Sequence, residues 1–492
     1  MFHVIHLTVI NVIILYSIRT LSVLMPIFIV SNFSVNYCCG QNLKIDSLTS
    51  LLSTNPSDTV RVNALNELGR MIVFQNPDSA ITLGLEALFL SEKNGYLQGV
   101  GISSLNLGIY HNILGDHSSS LKYIFKALET FIRLRDIKKV SASLGNLGIV
   151  FSESGKYSKA LEYFLLINKI DEKLLKDAIR MSDFNLARKC RFGISSTYGN
   201  IGNIFKNQGD YPKALEYYFR ALKTANDIGD KTGIANHSGN IGNVFAEQKD
   251  YYNALRYYFK ALEVNKEMDN IHGIAIKYGN IGNIYSATGD LKKALEYYFK
   301  ALNIHKDMGD KNSFAVVLGN IGLVYFKQKQ YDLASDYYIR ALKTDRELGD
   351  RKSMAINLIN IGDLFITTGR FPEAEENLLN AYRISDSIGV VGIVAGAEES
   401  LSRLFDTTGR YLSAYEHYKR YNALKDSLFN ESKSKEIGKL EAKYEYDKQQ
   451  AIAEAEHKKE IELAAEREKR QRIFIYLIAA TEEYYRYSEK NG

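Results

Sequence analysis

A block of five residues recurs along the chain at a spacing of forty. Gly-Asn-Ile-Gly-Asn begins at Gly199, Gly239 and Gly279, and Gly-Asn-Ile-Gly-Leu begins at Gly319. A fixed period of this size is the signature of an array of similar units, each packed on its neighbours. We therefore expect one solenoid, rather than the three domains that 492 residues would suggest at about 150 residues each.

The same register continues in both directions. Weaker copies surround residues 105–108, 145–148, 360–362 and 401–405, and a degenerate first copy surrounds residues 66–69. One interval is longer than forty, because 54 residues separate Gly145 from Gly199. About fourteen extra residues are therefore expected near 171–191.

Each copy has the pattern of two helices joined by a turn. In the copy at 199–230, Ile201, Gly202 and Phe205 fall at helical spacing, and Gly209-Asp210 then supplies a turn. The second helix carries an inner stripe at steps of three and four residues, formed by Tyr211, Ala214, Tyr218 and Ala221.

Small residues recur at fixed places in both helices. A glycine in the middle of a helix costs about 1 kcal/mol relative to alanine, so its recurrence predicts a neighbouring helix too close for a side chain. The glycines are Gly108, Gly148, Gly202, Gly242, Gly282, Gly322 and Gly362. The alanines of the second helix are Ala214, Ala221, Ala254, Ala261, Ala294, Ala301, Ala334 and Ala341.

These motifs resemble the tetratricopeptide repeat over residues 56–427, in about nine copies. The usual repeat has 34 residues, and the forty here are similar to the longer repeats of kinesin light chain. The usual proline after the second helix is replaced by Gly-Asp, as at Gly229-Asp230, Gly309-Asp310 and Gly349-Asp350, which fits a chain with 5 Pro. The resemblance implies an all-α superhelical solenoid of about nine helical hairpins whose concave groove is lined mainly by first helices.

Two rows of asparagine follow the repeat. Their residues are Asn106, Asn146, Asn200, Asn240, Asn280, Asn320 and Asn360 in one row, and Asn203, Asn243 and Asn283 in the other. Asparagine is a mediocre helix former, so helix propensity does not explain them. One interpretation is a ladder of carboxamides that binds the backbone of an extended peptide in the groove; the other is that they bridge neighbouring repeats.

Two further sets of residues are interpreted as structural. In the pairs Tyr217-Tyr218, Tyr257-Tyr258, Tyr297-Tyr298 and Tyr337-Tyr338, one ring is expected in the core and its neighbour at a contact between repeats. The histidines His237, His272 and His305 lie in separate repeats without metal-ligand spacing and are expected at the surface.

Composition and motifs exclude several classes of protein. The formal charge of +5 is too small to indicate nucleic-acid binding. The cysteines Cys38, Cys39 and Cys190 are too few for a disulfide framework or a metal cluster. No catalytic signature occurs in the sequence, so we expect no enzyme activity, no cofactor and no metal.

Residues 1–40 differ from the rest. Arg19, the apolar run 21–30 and a polar stretch have the layout of an export signal, with Cys38 and Gly40 at the −3 and −1 positions of a cleavage site before Gln41. The alternatives are an uncleaved membrane anchor, or a true start at Met25. We expect an exported, periplasmic or membrane-associated protein, and a cytoplasmic one if these residues are a misassigned start.

The pattern changes again after the repeats. Residues 428–472 are rich in Glu, Lys and Ala, and i,i+4 pairs such as Glu431/Lys435 and Glu454/Lys458 predict one long charged helix. That helix is either solvated or the coiled coil of a homodimer through residues 431–472. The apolar run 473–480 is too short to cross a membrane, which needs about twenty residues. We therefore interpret the segment 473–492 as the truncated onset of a membrane helix, followed by a tail.

This order of segments resembles the exported sensor half of tetratricopeptide-repeat receptors of the Bacteroidetes type. The resemblance implies a membrane tether and a lost output domain, so we expect a truncated gene. The sequence predicts a non-catalytic scaffold for a peptide or protein segment, as the sensory or interaction part of a signalling protein. The alternatives are a receptor nucleotide cyclase or histidine kinase without its output domain, and a cytoplasmic assembly scaffold.

Overall fold

The computed structural model describes residues 38–54, 56–73 and 76–427, and all regular secondary structure in that part of the chain is helical. The helices are α1 (Cys38–Ser53), α2 (Asp58–Ile72), α3 (Pro77–Lys93), α4 (Leu97–Ile113), α5 (His117–Arg133), α6 (Ile137–Glu153), α7 (Tyr157–Arg180), α8 (Phe184–Asn207), α9 (Tyr211–Ile228), α10 (Lys231–Glu247), α11 (Tyr251–Glu267), α12 (Ile271–Thr288), α13 (Leu291–Asp307), α14 (Lys311–Lys327), α15 (Tyr331–Leu348), α16 (Arg351–Thr367), α17 (Phe371–Ser387) and α18 (Val391–Thr407). Residues 411–427 are also helical.

From α2 onward the helices pack as successive antiparallel hairpins. The pairs run from α2/α3 to α16/α17, and α18 pairs with residues 411–427 as the ninth hairpin of the described chain. The prediction of an all-α solenoid of about nine hairpins is confirmed.

The first helices of the hairpins form one layer. Successive first helices such as α8 and α10, or α14 and α16, contact each other directly, in addition to their own partners. Second helices of successive hairpins make fewer contacts with one another. The first helices therefore form the inner, more closely spaced layer, and the second helices form the outer one.

The Gly-Asp junctions end one hairpin and begin the next. Gly229, Gly309 and Gly349 adopt φ values of 66°, 68° and 69°, the left-handed conformation that glycine allows without a steric cost. The aspartates that follow precede the next helix, and Asp310 and Asp350 accept hydrogen bonds from the backbone amides of Ser313 and Ser353. Glycine thus ends each of these second helices, as predicted.

The recurrent small residues bring the two helices of a hairpin together. A Cβ placed on Gly202 would lie 2.7 Å from the ring of Tyr218, and Gly242, Gly282 and Gly322 meet their tyrosines at the same distance. The alanines of the second-helix stripe, such as Ala214 and Ala221, are completely buried. The interpretation of these residues as close helix contacts is confirmed.

The fourteen extra residues lengthen one junction symmetrically. Helices α7 and α8 have 24 residues each, whereas most others have 17. The last seven residues of α7 and the first seven of α8 are therefore additional. They carry the turn between these helices about 10 Å beyond the neighbouring junctions, and the whole segment comprises residues 174–190. We call this segment the overhang. Its turn has Ser182 at φ 54°, like Arg135 at φ 59° in an ordinary junction.

The predictions for the two ends of the chain fall mostly outside the described part. These are the export signal or anchor in 1–40, the charged helix or homodimer in 428–472, and the segment 473–492; only the last residues of the first, from Cys38, begin α1. Among the residues that the structure describes, none belongs to a helix with the length and apolarity of a membrane span.

Candidate binding face on the inner helices

The first asparagine row lies on the inner helices and is partly exposed over most of its length. Asn200, Asn240, Asn280, Asn320 and Asn360 are half-buried, and they lie on the inner helices α8, α10, α12, α14 and α16, respectively. Asn146 is also half-buried, and its amide donates to the carbonyl of Ala142 one turn earlier. The first-row carboxamides from α8 onward therefore line one face of successive helices.

Asn106 differs from the rest of its row. It is buried, and its amide donates to Asn66 Oδ1 over 3.0 Å, while the amide of Asn66 donates to the Ser103 hydroxyl. This chain joins α2 to α4, so Asn106 bridges neighbouring repeats and is not presented to a ligand.

The second row has a partner inside its own hairpin. The hydroxyls of Tyr218, Tyr258 and Tyr298 donate to the side-chain oxygens of the second-row asparagines over 2.6, 2.8 and 2.6 Å. The asparagines concerned are Asn203, Asn243 and Asn283. Because a buried phenol needs a partner, these oxygens are committed to the fold, and the amino groups are what this row can offer to a ligand.

The two rows touch at one point. The amide of Asn320 on α14 donates to Asn283 Oδ1 on α12, in the preceding repeat, over 3.4 Å. Some first-row asparagines therefore bridge repeats and others remain partly exposed. Asn106 and Asn320 form bridges, whereas the amides of Asn200, Asn240 and Asn360 are half-buried.

An apolar stripe that sequence reasoning missed runs beside the first row. Ile276, Val316 and Ile356 are 39%, 53% and 41% exposed although they belong to tightly packed helices. Leu323, at the position that asparagine holds in earlier repeats, is also exposed. The signal was present in the sequence, since these three β-branched residues recur at the same period of forty where Ser196 and Asn236 stand earlier.

The prediction that the histidines lie at the surface is wrong for His237 and His305, which are buried. His237 contacts the Ser195 hydroxyl through Nε2 over 3.1 Å, and its ring occupies the space that a side chain on Gly199 would need. Burial lowers the pKa of His237 to about 4. His305 packs edge-on against His272, which is half-buried.

Lys277 occupies the same repeat position as His237. A Cβ placed on Gly239 would lie 2.5 Å from the Lys277 ammonium nitrogen, so the lysine packs on the preceding inner helix. Burial lowers the pKa of Lys277 to about 8. The first glycine of the repeated block thus contacts a long side chain of the following repeat. His237 contacts Gly199, and Lys277 contacts Gly239.

Three of the four tyrosine pairs behave as predicted, and in the fourth both Tyr217 and Tyr218 are buried. Tyr218, Tyr258, Tyr298 and Tyr338 are buried in the core. In three pairs the neighbouring ring contacts the previous repeat: the ring centroid of Tyr257 lies 6.0 Å from that of Phe219, Tyr297 6.1 Å from Phe259, and Tyr337 6.3 Å from Phe299. These rings connect one outer helix to the next.

No cluster of potential metal ligands occurs among the described residues. Cys190 is buried as a free thiol between α7 and α8, and burial raises its pKa to about 11, so it remains protonated and unreactive at neutral pH.

Comparison with known proteins identifies the repeat. The family described as "Tetratricopeptide repeat" matches residues 100–166, 193–267, 233–307 and 313–387. No curated protein matches the chain.

Solved structures that resemble this chain include the apo form of the quorum sensor NprR from B. thuringiensis (16% identity, 78% of this chain and 98% of that one, TM-score 0.49). Two others are a Rap protein complexed with competence and sporulation factor (16% identity, 76% and 99%, TM-score 0.48) and aspartyl phosphate phosphatase F from Bacillus subtilis (12% identity, 75% and 94%, TM-score 0.47).

Proposed function

Because the chain belongs to the tetratricopeptide repeat family, we propose that it is a non-catalytic scaffold whose inner helices bind an extended peptide or protein segment. The binding face comprises the first-row asparagines from Asn200 to Asn360 and the apolar stripe Ile276, Val316 and Ile356. The ligand lies across successive inner helices, so that each repeat contributes a similar pair of contacts.

The observation that carries this proposal is the arrangement of the two kinds of residue on α12, α14 and α16. Ile276 and Asn280, Val316 and Asn320, and Ile356 and Asn360 are four residues apart, and residues at this spacing are neighbours on one face of a helix. Each helix thus presents one exposed apolar side chain next to one carboxamide.

That pairing suits an extended peptide. The carboxamide can donate to and accept from the peptide backbone, at a net gain of about 0.5–1.5 kcal/mol per hydrogen bond. The apolar neighbour gains further free energy when a ligand side chain covers it, at about 25 cal/mol per Å². The preferred ligand is therefore a segment with apolar residues at several positions, rather than a uniformly charged one.

Selection of peptides from a random library on the full chain, followed by fluorescence anisotropy, tests the proposal. In the variant Ile276→Asp/Val316→Asp/Ile356→Asp, a selected peptide should bind at least tenfold more weakly. The matched control Leu333→Asp/Ile339→Asp changes equally exposed apolar residues of the outer helix α15 and should bind normally. If both variants lost affinity for the peptide equally, or neither lost any, the binding face would lie elsewhere.

The asparagine ladder has its own test. Replacing Asn240, Asn280 and Asn320 by Ala should weaken binding of the same peptide by a few kcal/mol and leave the helical circular dichroism unchanged. Unaltered affinity would reject the ladder and leave the apolar stripe as the binding determinant.

We further propose that this scaffold is the sensory or interaction part of an exported signalling receptor, with a membrane tether and a homodimer contact in residues 431–472. The layout of residues 1–40 and the charge pattern of 431–472 support it. A mature protein that begins at Gln41 is the expected result of N-terminal sequencing. An intact Met1 in the soluble fraction would favour the cytoplasmic assembly scaffold instead.

A further inference from the structure

The overhang formed by residues 174–190 has no counterpart at the other junctions between the described hairpins. Its two helical arms pack on each other through small or buried side chains, with Ala178, Ala187 and Cys190 inside. Because seven residues make nearly two full turns, the added segments keep the packing face of the helices they extend. The overhang is therefore a continuation of the antiparallel pair that carries its turn about 10 Å outward.

The tip of the overhang carries a cluster of large exposed apolar side chains. Phe184 is 83% exposed, the largest exposed fraction of any large apolar side chain in the described chain. Ile179, before the turn, is 57% exposed, and Met181, the first residue of the turn, is 46% exposed. Three large exposed apolar side chains thus surround one turn, whereas the Gly-Asp junction at 349–350 has one beside it, Leu348 at 42% exposed.

The flanks of the tip are basic. The overhang holds Lys176, Arg180, Arg188 and Lys189 against Asp177 and Asp183, a net formal charge of +2 in seventeen residues, and the exposed Arg191 follows it. The carboxylate of Asp177 lies 3.6 Å from the guanidinium of Arg180. The carboxylate of Asp183 caps α8 by accepting a hydrogen bond from the backbone amide of Leu186. The acidic groups are thus engaged locally, while Lys176, Arg180 and Arg188 are exposed and Lys189 is half-buried, all within about 10 Å of the apolar tip.

We propose that this tip docks on a lipid bilayer that carries anionic headgroups, with Phe184, Met181 and Ile179 inserted between the headgroups and the basic flanks above them. A convex turn with three apolar side chains is too small for a stable protein interface, which buries about 1,000 Å² or more. A bilayer requires only that the side chains reach the boundary between headgroups and acyl chains. Each Lys or Arg near an anionic surface adds about 1 kcal/mol.

The chain offers a local reporter for this contact because it contains no tryptophan. The full-length variant Phe184→Trp places a single fluorophore at the tip, and Phe89→Trp places one at an exposed position of α3 as a matched control. A local reporter is needed because residues 1–40 contain apolar runs of their own, which would obscure a simple sedimentation assay.

Tryptophan emission of the two variants is measured with vesicles of phosphatidylcholine, with and without phosphatidylserine, to test the docking. With phosphatidylserine, emission from Phe184→Trp should shift to the blue and be quenched by lipids brominated in the acyl chains, and emission from Phe89→Trp should stay constant. Adding Arg180→Glu/Arg188→Glu to the reporter variant should abolish the shift, and adding the exposed outer-helix pair Lys223→Glu/Lys260→Glu should preserve it.

Three results would overturn the proposal. They are the absence of shift and quenching at position 184, an equal response with neutral vesicles, and an equal response at position 89. A blue shift caused by an acidic polypeptide but not by vesicles would also overturn it, and would assign the tip to a protein partner.

Discussion

At the scale of the residue, the recurrent glycines Gly202, Gly242, Gly282 and Gly322 each face a tyrosine ring of the second helix. In Gly242→Ala the new Cβ would lie 2.7 Å from the Tyr258 ring and 3.3 Å from the Ala254 carbonyl oxygen. We expect a destabilisation of about 1–3 kcal/mol, as for other overpacked cores, in spite of the gain of about 1 kcal/mol in helix propensity. The midpoint of thermal unfolding, followed by circular dichroism, measures it.

The matched control is Gly279→Ala. Gly279 also lies within an inner helix, but no atom comes within 4 Å of a Cβ placed on it. Only the helix propensity changes, so the midpoint should stay constant or rise. Similar losses in both variants would mean that close packing against tyrosine is not the reason for the recurrent glycine.

The two asparagine rows should respond differently to truncation. Asn243→Ala leaves the buried hydroxyl of Tyr258 without its acceptor, at a cost of about 1–3 kcal/mol of stability. The double variant Asn243→Ala/Tyr258→Phe should recover part of that loss, because neither polar group remains. Asn240→Ala, in the first row, should leave stability unchanged. Denaturant unfolding gives the free energy of unfolding of the three variants. A loss in Asn240→Ala equal to that in Asn243→Ala would contradict the different roles of the two rows.

Burial of His237 makes stability depend on pH. Since the folded pKa of about 4 lies below the usual 6.5, the unfolded chain binds the additional proton between these values. This histidine therefore removes stability as pH falls from about 6.5 towards 4, by about 1–2 kcal/mol at pH 5. The variant His237→Thr, with the residue that stands at the equivalent position 197, should lose less stability between pH 7 and pH 5 than the unchanged chain. Identical pH profiles would rule out a buried neutral imidazole.

At the scale of the element, the overhang is an insertion that the solenoid does not need for its stability. Deleting 174–180 together with 184–190 removes about two turns from each helix and keeps the turn 181–183. The remaining seventeen-residue helices match their neighbours, so the thermal midpoint should change by only a few degrees. Deleting 174–180 alone leaves Ala187 and Cys190 without their packing partners and should destabilise the fold more. The reverse order of the two midpoints would show that the overhang supports the core.

At the scale of the whole molecule, the period of forty was sufficient to predict the hairpins and their close contacts. Gly202 and Tyr218 touch within one copy, and one copy of the sequence contains both. The burial of His237 and the exposure of Val316 depend on the next or preceding repeat, and an inner helix has two such neighbours. Periodicity alone did not predict which inner residues those neighbours bury. The asparagine rows were therefore evident in the sequence, and the exposure of the apolar stripe beside them was not.

The same nearest-neighbour packing determines how far a local defect should spread. Each hairpin contacts mainly the hairpins before and after it, and in such an array the free energy is approximately a sum of repeat and interface contributions. Gly242→Ala should therefore speed hydrogen exchange in α10 and α11 and, to a lesser extent, in α8, α9, α12 and α13. Exchange in α2–α5, which are separated from α10 by at least four helices, should stay at the level of the unchanged chain. Mass spectrometry of peptic fragments resolves these regions. A uniform rise in exchange would instead require the nine hairpins to unfold as one cooperative unit, because only then does a defect in one repeat lower the opening free energy of all the others.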